Sequence, residues 1–319
     1  MTAQQAGLDL QQLRGIAARR RGPAAYRHLL DRIGEHLDEH DGFVSWSGGK
    51  DSTVVVDLAR QVDPHIPVVF FDSGLQFPET IQYLQDLAEK WRLNFHVIAA
   101  DPDLLTVLIA GGGFDHDAVD RRLPGELADI MITGPAHQAH QRYGHGSLWG
   151  VRAEESHGRR MLYRRSLGTE SRAQQEIAPR SEARARHGGV VRRADGTITY
   201  GPIWDWQRAH VFEYLAGRGI EPNPLYRKLA DLGVPEQQIR VDSIIDASQL
   251  SNGHIAWVQR GWPDLFDRLA AVLPRLREWN RNSCGCIPVI SSWMRCLPPI
   301  AISSCKSSTT GTIRKPLGF

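Results

Sequence analysis

Between residues 43 and 151, short apolar runs alternate with stretches of helical period, and this limits what the chain can become. The runs Phe43–Trp46, Val68–Phe71, Phe95–Ala99 and Leu148–Val151 have strand length. Val68–Phe71 is apolar at every position, as expected of a strand covered on both faces. Helical spacing falls at about 51–62, 78–92, 102–110 and 124–142, with Pro78 at a first turn where its missing N–H costs nothing. The pattern predicts the α/β class: an open, mostly parallel sheet with helices on both faces. Such sheets bind ligands beyond the carboxyl ends of their strands. The residues expected there are 47–52, 72–74 and 150–156, three polar or glycine-rich turns on one rim.

The flanking segments differ in character. Residues 1–40 read as N-terminal helices broken at Gly22-Pro23, and 41–205 as the α/β unit. Within that unit, 157–199 loses the alternation. From Arg152 to Arg193 there are eleven arginines and five glutamates, a solvated insertion or a lid over an anionic substrate. Residues 206–282 read as helical, beginning with a helix over 206–217 capped by Asp205 and closed by Gly217 or Gly219. From 283 to 319 the chain is irregular and rich in Ser, Pro and Cys.

Bulk composition excludes several classes. All four cysteines lie in the last 36 residues, so the body of the fold does not depend on a disulfide framework. No apolar run approaches the roughly 18 residues a spanning helix needs. The first residues lack the basic start and apolar centre of a signal peptide, so a cytoplasmic protein without a membrane partner is expected. The net charge of +2 points to no particular partner.

The first rim turn, Ser47-Gly48-Gly49-Lys50-Asp51-Ser52, has the chemistry of an anion cradle. Two glycines let the backbone approach a ligand closely, and the helix that follows offers unpaired N–H groups with a partial positive charge. Ser47 and Ser52 add hydroxyls and Lys50 a full charge; a triphosphate or its diphosphate portion fits. The loop is shorter than a Walker A loop, and an aspartate follows its lysine. Asp51 either takes part in holding Mg²⁺ against phosphate oxygens or simply stabilises the helix N-terminus.

This loop resembles the pyrophosphate-binding loop of the ATP pyrophosphatases in the adenine-nucleotide α-hydrolase superfamily, of the HUP type. Three more segments resemble the phosphoadenylyl-sulfate (PAPS) reductase family, which includes the sulfate adenylyltransferase small subunit. They are FFDSGLQFPET (70–80), LWGVRAEES (148–156) and the stretch from Tyr200 to Lys228 that contains Asn223-Pro224-Leu225-Tyr226. The resemblance implies that Ser47 to Ser52 hold the terminal phosphates and that Asp72, Ser73 and Gly74 lie beside the nucleotide. It further implies that Arg152, Glu155 and Ser156 face the reacting end, with Gly150 among the nucleotide-binding residues. Asp72 as a plain turn residue, and Arg152 with Glu155 as a plain ion pair, are the alternatives.

A reductase of that family attacks sulfate with a C-terminal cysteine in a Glu-Cys-Gly segment. Here Ser283 precedes Cys284-Gly285, and no histidine follows His254. The spacing of Cys284, Cys286, Cys296 and Cys305 also argues against an iron–sulfur cluster. The expectation is therefore ATP cleavage between the α- and β-phosphates, with Lys50, Asp51, Arg152 and Glu155 as catalytic residues and Mg²⁺ on Asp51. An acceptor of unread identity would be adenylylated and pyrophosphate released. Reduction of PAPS or adenylyl sulfate by Cys284 or Cys286 is the alternative. A nucleic-acid-directed role in sulfur modification is a third reading. The helices from 228 to 280 would form an acceptor wall or a surface for a second copy or partner subunit.

Overall fold

The computed structural model describes residues 26–112, 129–155, 157–158, 160–161, 188–241, 243–244, 254–273 and 276–277. Ser156, the four cysteines, residues 8–25 and most of the arginine-rich insertion lie outside them.

Six strands form one sheet in the order β3-β2-β1-β4-β6-β5. They are β1 (Gly42–Ser45), β2 (Pro67–Asp72), β3 (Asn94–Ala99), β4 (Gly146–Trp149), β5 (Val190–Arg192) and β6 (Ile198–Tyr200). Every neighbouring pair is parallel except β5 with β6. The helices are α1 (Arg27–Glu39), α2 (Lys50–Val62), α3 (Pro78–Trp91), α4 (Leu104–Ala110), α5 (Gly134–Tyr143), α6 (Arg208–Arg218), α7 (Leu225–Asp231), α8 (His254–Gly261) and α9 (Pro263–Val272). The open, mostly parallel sheet read from the alternation is present, with its four predicted strands within two residues of their expected bounds.

Alternate side chains of the strands feed opposite faces. Val44, Val68 and Phe70 pack with α1, α2, α3 and α6, while Phe43, Val69 and Ile98 pack with Ala139 of α5. A second apolar cluster joins Leu75, Phe77, Leu104 and Leu108 to side chains of α7, α8 and α9.

Two expectations need correction. Residues 188–200 are not patternless: β5 and β6 form an antiparallel hairpin, and β6 extends the parallel sheet beside β4. Three-residue strands flanked by arginines show no periodicity. The Asp195-Gly196 turn, with Gly196 at φ +85°, was the available signal. Helix α6 starts at Arg208, capped by Gln207 rather than Asp205, because Trp206 N–H is still bonded to Ile203 O (3.0 Å) in a turn. Gly219 closes it in the left-handed region (φ +67°), as expected.

Helix α2 is buried at every position from Asp51 to Ala59, so its one mid-helix charge needs partners. Asp57, fully buried, accepts from Arg60 Nε (2.9 Å), Arg218 Nε (2.8 Å) and Tyr214 Oη (2.7 Å). This network joins α2 to α6. Burial and the Asp57 charge both push the Tyr214 phenol well above its usual range.

Glu79, in the first turn of α3, ties the second cluster to the first. It accepts from Lys228 Nζ (2.6 Å) and from Trp262 Nε1 (2.9 Å and 3.0 Å), and the Lys228 ammonium lies 4.0 Å from the centre of the Trp262 ring. Burial acts to raise the Glu79 carboxyl, but hydrogen bonds from Lys228, its own backbone N–H and Trp262 outweigh it and hold the group below the usual range. A depressed folded-state value adds stability above the unfolded value of about 4.3 and loses it as pH falls through the depressed one. Glu79→Gln is expected to lower stability by about 1–2 kcal/mol at neutral pH, since Lys228 is partly solvated. It should also flatten the acid limb of the stability curve below about pH 4. Urea titrations from pH 3 to 7 check both effects.

Candidate functional site

From β1 the sheet grows to β2 and β3 on one side, and the chain then returns to place β4 on the other. This is the point where strand order reverses, and the crevice between the carboxyl ends of the two strands is where open α/β sheets bind ligands. Ser45 is paired with Trp149, so the two strands end level. β1 runs on into residues 46–49 and α2. β4 runs on into Gly150–Arg152 and a 3₁₀ turn, Ala153–Glu155.

Local geometry sets the loop. Trp46 is buried, with its N–H on Val69 O (2.9 Å) and its indole N–H on Thr53 Oγ1 (3.0 Å), which fixes the strand exit to the helix. Gly48 has φ +74°, a conformation that favours glycine. Gly49 is extended and caps α2; the first intrahelical bond is Thr53 N–H to Gly49 O (2.9 Å). The N–H groups of Lys50, Asp51 and Ser52 therefore have no acceptor within the helix. Ser52 Oγ accepts from Ser47 N–H (3.3 Å), donates to Gly49 O (3.1 Å) and lies 3.2 Å from Ser47 Oγ, so the two serines brace the turn.

Charges are concentrated at the helix start. Lys50 Nζ lies 2.6 Å from Asp51 Oδ2, and Arg152 Nε lies 2.6 Å from Asp51 Oδ1. Arg152, 4% exposed, also contacts Glu154 and lies 3.7 Å from Glu155 Oε1. Burial acts to lower the Arg152 guanidinium, but Asp51, Glu155 and Glu154 together hold it above its ordinary value. It is a buried cation shared by three carboxylates, not a surface ion pair. Gly150 packs so closely on α2 that a Cβ there would stand 2.3 Å from Ser52 N.

The side chains of the third rim turn bond locally, while its carbonyls accept from Ala100 N–H (to Asp72 O, 2.8 Å) and Leu104 N–H (to Ser73 O, 2.8 Å). Asp72 Oδ1 accepts Gly74 N–H (2.8 Å), and Ser73 Oγ accepts from Leu75 N–H (3.4 Å) and Gln76 Nε2 (3.1 Å). Asp72 thus makes the backbone turn that was its alternative reading. The fold brings residues 47–52, 72–74 and 150–155 to one rim, while Ser156 lies outside the described residues. Ser47 is exposed; Gly48, Gly49, Asp51 and Ser52 are buried, and Lys50 keeps 11% of its side chain exposed. Ser47 is thus the solvent-exposed residue of the loop, and the Lys50 ammonium is turned onto Asp51.

Asp51 was also read as a magnesium ligand. Both of its oxygens are engaged by cations, an arrangement that does not fit a resident metal ion. Among the described residues no group of three or more His, Cys, Asp or Glu gathers to hold one.

Sequence reasoning assigned no role to the residues behind the loop. Asn223, 1% exposed, donates to Gly48 O (3.3 Å) and Thr80 Oγ1 (3.0 Å), and Thr80 donates to Val241 O (2.6 Å). Tyr226 Oη accepts Lys50 N–H at 3.2 Å. The segment Asn223–Tyr226 was visible as a motif, but its task depends on a contact across more than 170 residues.

Comparison with known proteins agrees with the four motif segments. A family profile described as "Phosphoadenosine phosphosulfate reductase domain" matches residues 42–291. A phosphoadenosine 5'-phosphosulfate reductase of Serratia proteamaculans is 26% identical over 219 residues, which span 68% of this chain and 74% of that protein. One from Alteromonas mediterranea is 48% identical over 58 residues, 18% of this chain and 23% of that protein. The crystal structure of a PAPS reductase from Candida auris, a phosphate complex, overlaps 71% of this chain and 93% of its own at 14% identity, with a TM-score of 0.41. With the family profile spanning residues 42–291, from the first strand of the sheet to beyond the described helices, the chain belongs to the phosphoadenosine phosphosulfate reductase domain family.

Proposed function

We propose that this protein is an enzyme acting on an adenine nucleotide whose acidic end is held by Ser47 to Ser52, and that it reduces a nucleotide-activated sulfate. The observation that carries the nucleotide half is the place of the loop: a glycine turn at the N-terminus of α2, in the crevice where strand order reverses. Backbone N–H groups of the first turn would face the anion, and Lys50 would exchange Asp51 for it. Arg152 acts as a positioning residue, since it holds Asp51 rather than the crevice. Asp72, Ser73, Gly74, Gly150 and Ser156 would line the rim beside the nucleotide, with Glu155 at the reacting end.

The names of the relatives favour the reductive half, and the profile match runs through Cys284 and Cys286. In that reaction a cysteine thiolate attacks the sulfur of the activated sulfate, and the bond from sulfur to the bridging oxygen breaks. The nucleotide leaves with the electron pair. A dithiol reductant then releases sulfite and is itself oxidised to a disulfide.

Specific features favour a second reading, cleavage of ATP between its α- and β-phosphates. The Ser-Gly-Gly-Lys-Asp-Ser loop is complete, Ser283 stands before Cys284, and no histidine follows His254. A complete loop suits a departing pyrophosphate. Catalysis would then be positioning plus charge neutralisation.

One experiment separates the two. The full-length protein is incubated with adenylyl sulfate or its 3'-phosphorylated form and a dithiol, and separately with α-labelled ATP, Mg²⁺ and candidate acceptors. Sulfite that disappears on replacing both Cys284 and Cys286 with serine supports reduction. Pyrophosphate release without sulfite replaces it with the second reading. Binding of no adenine nucleotide at millimolar concentration overturns both.

A further inference from the structure

Asn223 stands behind the glycine turn, and the protons of its network can be placed one by one. Val241 O is a carbonyl oxygen and can only accept, so Thr80 Oγ1, 2.6 Å away, donates to it. Leu225 N–H can only donate, so Asn223 Oδ1, at 2.9 Å, accepts from it. These two bonds orient the Asn223 side chain and leave its NH₂ group facing the loop. One N–H goes to Thr80 Oγ1 (3.0 Å) and the other to Gly48 O (3.3 Å). Asn223 and Thr80 are 1% and 0% exposed, so bulk water offers no substitute partner.

The consequence lies at the other end of the same peptide unit. The Gly48–Gly49 peptide is trans, and in a planar trans peptide C=O and N–H point in opposite directions. Gly48 O is held toward Asn223 and Thr80, so Gly49 N–H points away from them. A peptide between two glycines meets no Cβ of its own and turns over at little cost unless something holds it. Asn223 opposes the turned form, which would set Gly49 N–H against the Asn223 NH₂ and leave donors face to face in a buried place. In the observed form Gly49 is buried, yet its N–H has no acceptor among the described residues. A buried N–H without a partner is rare, and water or a ligand usually meets it. This donor immediately precedes the first turn of α2.

We propose that Asn223 is the positioning residue of this loop: it fixes the Gly48–Gly49 peptide so that an N–H, and not a carbonyl oxygen, faces the bound anion. The turned peptide would set a carbonyl oxygen against phosphate or sulfate oxygens, acceptor against acceptor. Asn223 does not itself touch the ligand. The ligand class that gains is the acidic end of the nucleotide, a diphosphate or a phosphosulfate, since these carry the acceptor oxygens that Gly49 N–H would meet. This inference rests on the proposal that the loop holds that acidic end.

The test uses Asn223→Ala in the full chain, with affinities for ATP, adenylyl sulfate and inorganic pyrophosphate measured by calorimetry. Loss of one well-aimed donor to a charged group is expected to weaken the bound ligand by about 10-fold. Unchanged affinity would overturn the proposal. A second measurement separates positioning from general support of the fold. Labelling glycine with ¹³C at the carbonyl and ¹⁵N at the amide singles out Gly-Gly peptide bonds, of which Gly48–Gly49 is one. In the unaltered protein, saturation with pyrophosphate is expected to move the Gly49 amide proton downfield, while the Gly48 carbonyl stays on Asn223. In Asn223→Ala the downfield shift should be lost. Bound pyrophosphate that leaves the Gly49 amide unmoved in the unaltered protein would overturn the proposal, even if the variant fails to fold. Failure of the unaltered protein to bind ATP, adenylyl sulfate or pyrophosphate would instead overturn the reading of the loop itself.

Discussion

Asp57→Ala is expected to lower the unfolding free energy by about 3 kcal/mol, the largest single loss among the substitutions considered. Removing one partner of a buried ion pair costs about 3–5 kcal/mol, because the remaining charges and donors are left without compensation. The lower end applies here. Arg60 and Arg218 are 27% and 39% exposed and can turn to water, whereas the buried Tyr214 hydroxyl cannot. Tyr214 O–H would lose its acceptor, and α6 its bonds to Asp57 of α2, leaving the bond from Gln61 Nε2 to Tyr214 Oη (3.2 Å). Asp57→Asn retains an oxygen acceptor and should cost about half as much. Chemical denaturation of the two variants checks the ordering. Equal losses would show that the pocket tolerates no change of shape and that the charge is incidental.

Gly150→Ala is expected to damage both stability and ligand binding. The added carbon would stand 2.3 Å from Ser52 N, 2.4 Å from Ser52 Cα and 2.6 Å from Asp51 C, all backbone atoms that have no rotamer to change. The end of β4 and the start of α2 must then separate. Overpacking of this kind costs about 1–3 kcal/mol. The displaced atoms are those of the first turn of α2, so the affinity for ATP, adenylyl sulfate or pyrophosphate should fall more than the melting temperature suggests. Gly34→Ala is the control. It lies within α1, where a Cβ would meet nothing closer than Val62 Cγ1 at 3.7 Å, and should stabilise by up to about 1 kcal/mol. A Gly150→Ala protein with full stability and full affinity would mean that strand and helix slide freely at this point, and the tight crevice would lose its role.

These two positions show how differently the chain discloses its parts. Gly150 was legible as a rim residue, because it follows an apolar run in an alternating pattern. Its contact with Ser52 was not, since sequence does not report which strand lies beside β1. Asp57 was invisible: an aspartate in a helix reads as solvent-facing until the neighbours of that helix are known. The β5–β6 hairpin was missed because strands of three residues carry no period, although its Asp-Gly turn was in plain view.

The rim loop divides in the same way. Its glycines, serines and helix start are local chemistry, and local chemistry can be read along the chain. The partners of its charges are only partly local: Lys50 meets its neighbour Asp51, but Arg152 reaches Asp51 from 101 residues away. Lys50 was expected to bring a full charge to the terminal phosphates, and its ammonium lies 2.6 Å from Asp51 Oδ2. Arg152 was expected at the reacting end, and it lies against Asp51, with Glu154 and Glu155 around it.

Backbone periodicity and turn residues, which act over a few positions, determined by themselves that this chain forms an open, mostly parallel sheet with a glycine turn and a helix start at its rim. Folding alone decided which buried charges pair and which hydroxyl meets the first N–H of α2. Those pairings depend on the distance between groups up to 176 residues apart, and only packing brings them together.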